Sequence, residues 1–448
     1  MYEKILEDFI KEYKEEGTFA SEEELREVLV DLVNVIKKYP DDTPEEIIEK
    51  IIEGNVRELQ EIKNNYPIPG FTIGVNVSNI NVKLFGGSID SLGRSMPDDA
   101  LFDIASMTKF FTQIIAYNLI KEKVFSLSDK VIDLDPRFVN VGDLTIGDVL
   151  SFTTQFRTDG RLSDKKTIDE ALKCLYGMNV VEKGPYNYND MGMMLMKELM
   201  ENVTGKSYND LVKEYITDKL GLTDTHLIVP RNKIVRLTGS PNASQRMVND
   251  PSALSVGGYS GHAGVFASSD DLITLGKGIE TVLPEEGIRD AYTTGAKENR
   301  GIMGNTFTSH PNGVDASYVD RLSPTKEFAI QGSTRTQANF GKAVSTILLN
   351  PSSMGIERAI EEERKINERR IIEGKPPVSL VKHFEFNRDG NAVCYDLIDA
   401  RTMAPTGKTV EPITTSNAKL ALRLRLLNKI IESYDKNYSK EINVSKNI

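Results

Sequence analysis

The spacing of apolar residues changes period along this chain. Over residues 1 to 65 they recur three and four apart, as in Leu25, Val28, Leu29 and Leu32 and again in Ile47, Ile48, Ile51 and Ile52, the stripe of an amphipathic helix. Each set follows a capping signal, Ser21 with Glu24 and Thr43 with Pro44 and Glu46, in which side chains satisfy the first free N–H groups of a helix. This stretch is a helical extension, open to two readings: a partner-docking module or, preferred, a pad packed on the main domain. At "YPIPGFTIGVNVSNINVKLFGGSID" the period becomes strand-like, and two β-rich runs around "SNIN" predict a hairpin. Residues 100 to 225 are again mainly helical, and "EFAIQGSTRT" with "KAVSTILLN" predicts a second pair of strands.

Early strands, a helical middle and late strands in one unit favour an antiparallel sheet closed by its first and last strands over alternating βαβ units. The expected fold class is α/β in the broad sense, strictly α+β: an antiparallel sheet flanked by helices, plus a mostly helical subdomain. The expected domains are 1–65 and 66–448, with the helical subdomain at 110–255 and an insertion at 355–410. Within and after that insertion, "GIERAIEEERKINERRIIEG" reads as a charged helix, "RDGN" as a hairpin turn, and "TTSNAKLALRLRLLNKIIESY" as a terminal helix whose basic residues form a solvated face.

Composition narrows the function classes. A chain of 448 residues with 39% hydrophobic and 27% charged residues has enough apolar material for more than one core-forming unit. Its net charge of −11 argues against a nucleic-acid partner, which clustered Lys and Arg would have to hold. Two cysteines and four scattered histidines supply neither a disulfide framework nor zinc-ligand spacing. The start "MYEKILEDFIKEYKEEG" lacks the basic and apolar regions of a signal peptide, and no apolar run is long enough to span a bilayer. The expectations are a cytoplasmic protein with no metal, no organic cofactor and no nucleic-acid or membrane partner, acting on a small-molecule or peptide substrate. Its oligomeric state stays open.

Candidate chemistry centres on "DALFDIASMTKFFTQIIAYNLI", where Ser106 and Lys109 stand one turn apart at the start of an apolar helix. A serine hydroxyl needs a base within reach to become a nucleophile, and a helix start adds a positive dipole end and free N–H groups. The same spacing recurs at Ser163, Ser323, Ser379, Ser416 and Ser433, but in polar, strand-like or charged-helix settings. A second motif is needed, and "KGPYNYNDMGMMLMKELMENVTGKSYNDLVKEYITDKLGLTDT" supplies it. With "FDIASMTK" and the glycine-rich "GGYSGHAGVFASSDDL", it resembles the serine β-lactamase and penicillin-binding-protein superfamily, in particular the class C β-lactamase-like branch of esterases and D-alanyl-D-alanine carboxypeptidases. The resemblance covers residues 66 to 350 and extends to the terminal helix, but does not explain residues 1 to 65 or 355 to 410.

That resemblance implies Ser106 as acylated nucleophile, Lys109 and Tyr188 as its proton-transfer partners, and Asp190, Gln331, Gly332 and Ser333 around substrate and oxyanion. Tyr188, and not Tyr186, has Asn189-Asp190 and then Gly192 behind it. His262 in "GHAG" reads as a structural hydrogen-bonding group rather than a triad member. The chain departs from the family in three places: Asp190 replaces a common Asn, "SFTTQF" replaces a loop usually read "THTSG", and Ile330 replaces the Lys or His of the third motif, with Arg335 a candidate substitute. "PTGKT" fails as a phosphate loop because Thr402 stands where its first glycine belongs. The expected function is a serine hydrolase of an ester or amide, possible donors including cell-wall-derived peptides and β-lactam-like compounds. The alternative is a catalytically weak binding or regulatory protein on the same fold.

Overall fold

The computed structural model describes residues 2–15, 21–65, 70–87, 89, 94–184, 187–238, 247–292, 328–332, 336–350, 356–376, 382–386, 392–396, 413–434 and 442–447. The extension forms α1 (Tyr2–Glu15), α2 (Glu22–Lys38) and α3 (Pro44–Asn65). Both capping boxes form: Ser21 Oγ accepts the Glu24 N–H at 3.1 Å while Glu24 accepts the Ser21 N–H at 2.9 Å, and Thr43 exchanges the same pair with Glu46 at 3.3 and 2.8 Å. The eight apolar residues that mark α2 and α3 in the sequence are all buried.

The hairpin β1 (Gly70–Val77) and β2 (Ile80–Gly87) turns through Ser78 and Asn79. Ser78 takes a positive φ of 54°, as a two-residue turn between twisted strands requires. These strands enter a six-stranded sheet whose order is Ile442–Asn447, β2, β1, Ala343–Asn350, Thr336–Phe340, Phe328–Gly332. β1 runs antiparallel to Ala343–Asn350 with Gly70 opposite Asn350 and Val77 opposite Ala343, so early and late strands do close the sheet.

Two features differ from the expectation. The segment Thr336–Phe340 is a strand of its own, giving three late strands instead of two. The last strand, Ile442–Asn447, pairs parallel with β2, so the sheet is not wholly antiparallel. Its short, polar sequence carries little pattern of its own; the open edge of β2 decides its place. Lys382–Phe386 and Ala392–Asp396 pair antiparallel on either side of "RDGN", which itself lies outside the described residues. Ser323, Ser333, Arg335, Tyr186, Ser379 and "PTGKT" lie outside the described residues.

Alternation along β1 divides the interior in two. Phe71, Ile73, Val75 and Val77 join one apolar cluster with residues of α1, α2, α3 and the terminal helix Ile413–Tyr434. Gly74 faces the other way, where a Cβ would lie 2.2 Å from Ser269 Oγ; glycine there lets the helix Ser269–Lys277 close on the sheet. The extension is thus a pad on the outer face of the sheet.

The basic residues of the terminal helix are not a solvated face. Arg423 reaches Asp31 at 2.9 Å and the Val28 carbonyl at 3.2 Å, Lys429 pairs with Glu12, and Arg425, 5% exposed, lies over the Tyr13 ring. They bridge to α1 and α2, where Asp31, Glu12 and the Tyr13 ring are partners that sequence alone does not place opposite them. The second cluster surrounds α4 (Thr108–Lys121), whose residues are buried continuously from Thr108 to Leu119. Each fully buried Phe, Ile or Leu there contributes about 1.5–3 kcal/mol relative to exposure.

Candidate active site

Ser106 sits in a short 3-10 turn, Ala105–Met107, that leads into α4. The turn is held from two sides: the Ile104 N–H donates to the Val265 carbonyl at 3.1 Å, and the Val265 N–H donates to Thr108 Oγ1 at 3.2 Å. Ala105 has φ +45°, an uncommon value for a residue with a Cβ. One turn on, Lys109 is 2% exposed and its Nζ donates to Ser106 Oγ at 2.9 Å.

Lys109 also meets Asp190, 2.7 Å away, and lies 4.7 Å from the centroid of the Tyr188 ring. Burial pushes the Lys109 ammonium down, but Tyr188 and Asp190, each through charge and a hydrogen bond, raise it above its ordinary value. Asp190 responds in the opposite sense. Partial burial pushes its carboxyl up, while Lys109 and then His262 hold it below the usual range. Ser106, Lys109, Tyr188 and Asp190, read from two motifs some 80 residues apart, are therefore brought together.

Tyr188 is held by groups that sequence reading did not single out. Its ring stacks on Phe152 at 5.5 Å and 12°, and Phe152 itself has φ +55°. The Asn187 N–H donates to the Phe152 carbonyl at 2.6 Å. Asn189 locks the same loop: Nδ2 donates to Thr154 and Asn187 carbonyls at 2.9 and 3.0 Å, and Oδ1 accepts the Gly192 N–H at 2.9 Å. Phe152 belongs to "SFTTQF", so the altered loop supports the tyrosine directly. Asn189 was visible only as the middle letter of its motif, and nothing local marked Phe152.

The strand Phe328–Gly332 forms the edge of the sheet beside this turn. A Cβ on Gly332 would stand 2.4 Å from the Ile104 carbonyl oxygen and 2.4 Å from Thr336 Oγ1, so glycine allows the strand to approach the turn that carries Ser106. Ile330 is 2% exposed and belongs to the apolar core. It offers no cation. Gln331 lies on the same strand, between Ile330 and Gly332.

His262 is 1% exposed, with Nε2 2.9 Å from Asp250 Oδ1. Burial raises the Asp250 carboxyl, but His262, the Ala253 N–H and the Lys109 charge together hold it down to about 2. Asp190, Asp250 and His262 present ligand-type atoms within 4.8 Å of one another. In this arrangement Asp190 is engaged by Lys109 and Asp250 by His262. The "GHAG" turn is set by close packing: a Cβ on Gly261 would lie 2.0 Å from the Met193 carbonyl oxygen, and Gly264 has φ +117°.

A serine paired with a buried lysine beside the edge strand of a mixed sheet is the arrangement that comparison with known proteins puts in context. The sequence profile of the beta-lactamase family matches residues 52–316, and the chain belongs to that family. A provisionally named D-alanyl-D-alanine carboxypeptidase of Escherichia coli (strain K12) is 26% identical over 291 residues, spanning 56% of this chain and 66% of the relative. Among solved structures, EstCE1, a hydrolase with promiscuous acyltransferase activity, superposes with a TM-score of 0.54 at 15% identity over 68% of this chain and 94% of its own. A class C beta lactamase superposes with a TM-score of 0.54 at 16% identity over 71% and 96%. The fold is that of β-lactamases and penicillin-binding proteins, and among the described residues no helix is long and apolar enough to cross a membrane.

Proposed function

We propose that the chain hydrolyses an ester or amide through an acyl-enzyme on Ser106. The observation that carries this reading is the 2.9 Å contact between Ser106 Oγ and Lys109 Nζ at the foot of a buried helix, beside the Gly332 edge. Ser106 Oγ attacks the acyl carbon, its proton passing to the Lys109–Tyr188 pair and then to the leaving alcohol or amine as the acyl bond breaks. Water then takes the acyl group by the same route in reverse, and the proton returns to Ser106. The Ser106 N–H and the strand around Gly332 are suited to hold the oxyanion.

Ile330 decides the substrate preference. A buried aliphatic side chain cannot make the charge-assisted hydrogen bond, typically worth ~1.5–3 kcal/mol, that a cation there would give a substrate carboxylate. Neutral short-chain esters are therefore expected to turn over faster than penicillins. The test is intact-protein mass spectrometry after a fluorophosphonate or penicillin, beside turnover of a p-nitrophenyl ester by wild type and Ser106→Ala. A fluorophosphonate adduct on Ser106 with ester turnover lost in Ser106→Ala supports the reading. Absence of both supports the second reading, a catalytically weak binding protein, which the ion pair of Lys109 with Asp190 favours because a protonated lysine is not a base. Faster turnover of penicillins than esters would overturn the preference and point to another cation, with Arg335 first to mutate.

A further inference from the structure

Asp103 ends the short strand Leu101–Asp103, three residues before Ser106, and no step above uses it. It is 0% exposed, and its two oxygens are divided between two loops. Oδ1 accepts the Ala105 N–H at 2.9 Å, and Oδ2 accepts the Asn249 N–H at 2.7 Å.

Both partners bear on the site. Ala105 is the residue held at φ +45°, and backbone strain of that kind persists only where its surroundings over-determine it. Asn249 precedes Asp250, whose Oδ1 accepts the Ala253 N–H at 2.8 Å and lies 2.9 Å from His262 Nε2. One carboxylate thus ties the nucleophile turn to the loop behind Asp190. Burial pushes its carboxyl up to about 6 against those two N–H bonds, so the ionised form is kept at a cost to the fold. An asparagine would avoid that cost but has one acceptor oxygen; it would turn its NH₂ toward one of the two N–H donors.

We propose that Asp103 is a positioning residue that clamps Ala105 in the left-handed conformation and thereby seats Ser106 Oγ on Lys109. The inference rests on Ser106 being the nucleophile. It is tested by the rate of fluorophosphonate labelling at Ser106, by kcat and KM for a p-nitrophenyl ester, and by thermal melts. The proteins compared are wild type, D103N and the double variant D103N/A105G.

A misplacement near 1 Å can lower a rate about 100-fold, so labelling and kcat of D103N are expected to fall between about 10- and 100-fold. KM should stay within about twofold, because binding is not what the clamp serves. The melting temperature should not fall in parallel, since a buried charge has been removed. Glycine adopts positive φ without a clamp, so D103N/A105G is expected to recover labelling. It also serves as the second variant should D103N lack a cooperative melt.

Labelling of D103N at the wild-type rate, or no recovery in the double variant, would overturn the proposal while leaving Ser106 as nucleophile. A loss of rate that tracks loss of folded protein would do the same. Failure of the wild type itself to label at Ser106 would remove the nucleophile reading and this proposal together.

Discussion

Lys109 favours its charged form because Tyr188 and Asp190 outweigh the cost of burying it. A base must be neutral to accept the serine proton, so Asp190 is expected to place the acid limb of activity high on the pH scale. Replacing it as Asp190→Asn removes the negative charge 2.7 Å from the ammonium and lets the lysine titrate lower. A pH series of kcat/KM with p-nitrophenyl acetate should show that limb moving to lower pH and activity at neutral pH rising. An unmoved limb would mean that another group controls it. Asp271 gives a second pH prediction. Burial lifts its carboxyl to about 6 although Thr225 and the Asp224 N–H, both at 2.8 Å, bond it. Its folded pKa lies above the unfolded value, so the folded state binds the proton more tightly. Stability is fullest below the ordinary carboxyl pKa and declines as pH rises through about 6. Both bonds go to Oδ2, so an amide oxygen can keep them. Asp271→Asn is expected to stabilise the protein at neutral pH by up to about 3 kcal/mol and hardly at all near pH 4, as read by urea unfolding at the two pH values. Equal effects at both would show that charge is not the cause.

Contacts between elements depend on a few positions where backbones come close. Gly332 is one, because its strand reaches the Ser106 turn only without a side chain. Gly332→Ala must displace either the strand or the Ile104 carbonyl. The expected result is a loss of about 1–3 kcal/mol in stability, together with slower labelling of Ser106. Crystallography of that variant with the strand unmoved would contradict this account. At the other end of the molecule the capping boxes act more locally. Ser21→Ala should cost about 1 kcal/mol through the first turn of α2, with esterase activity unchanged, since α2 packs on the sheet face away from Ser106.

For the whole molecule, the helical extension and the terminal helix form one layer over the sheet. They share an apolar cluster with β1 and Ala343–Asn350, and Arg423, Lys429 and Arg425 tie them together. Removing residues 1–65 would uncover Ile80, Val82 and Leu84 of β2, on which α3 packs, and the face of the terminal helix that meets α2 and α3, an apolar surface that a folded chain does not leave exposed. The truncated chain is expected to aggregate or melt well below the full chain by light scattering and calorimetry. A truncated chain that keeps its melting temperature would return the extension to a docking module.

What the sequence determined by itself is local. The capping boxes, the stripes of α2 and α3, the β1–β2 hairpin and the buried run after Ser106 depend on residues within a turn or a strand of one another. The Ser106–Lys109 spacing and the Tyr188–Asp190 motif are legible for the same reason: one helical turn and one tight loop fix their relative placement. Tertiary structure decided the rest. Phe152 under Tyr188, Asn249 on Asp103 and Arg423 on Asp31 join residues 36, 146 and 392 positions apart, and no periodicity relates them. The parallel last strand was likewise decided by an open edge of β2, not by its own residues. The charge of Lys109 belongs to the same group, because its direction depends on burial opposed by two neighbours, and burial exists only once the chain has closed around it.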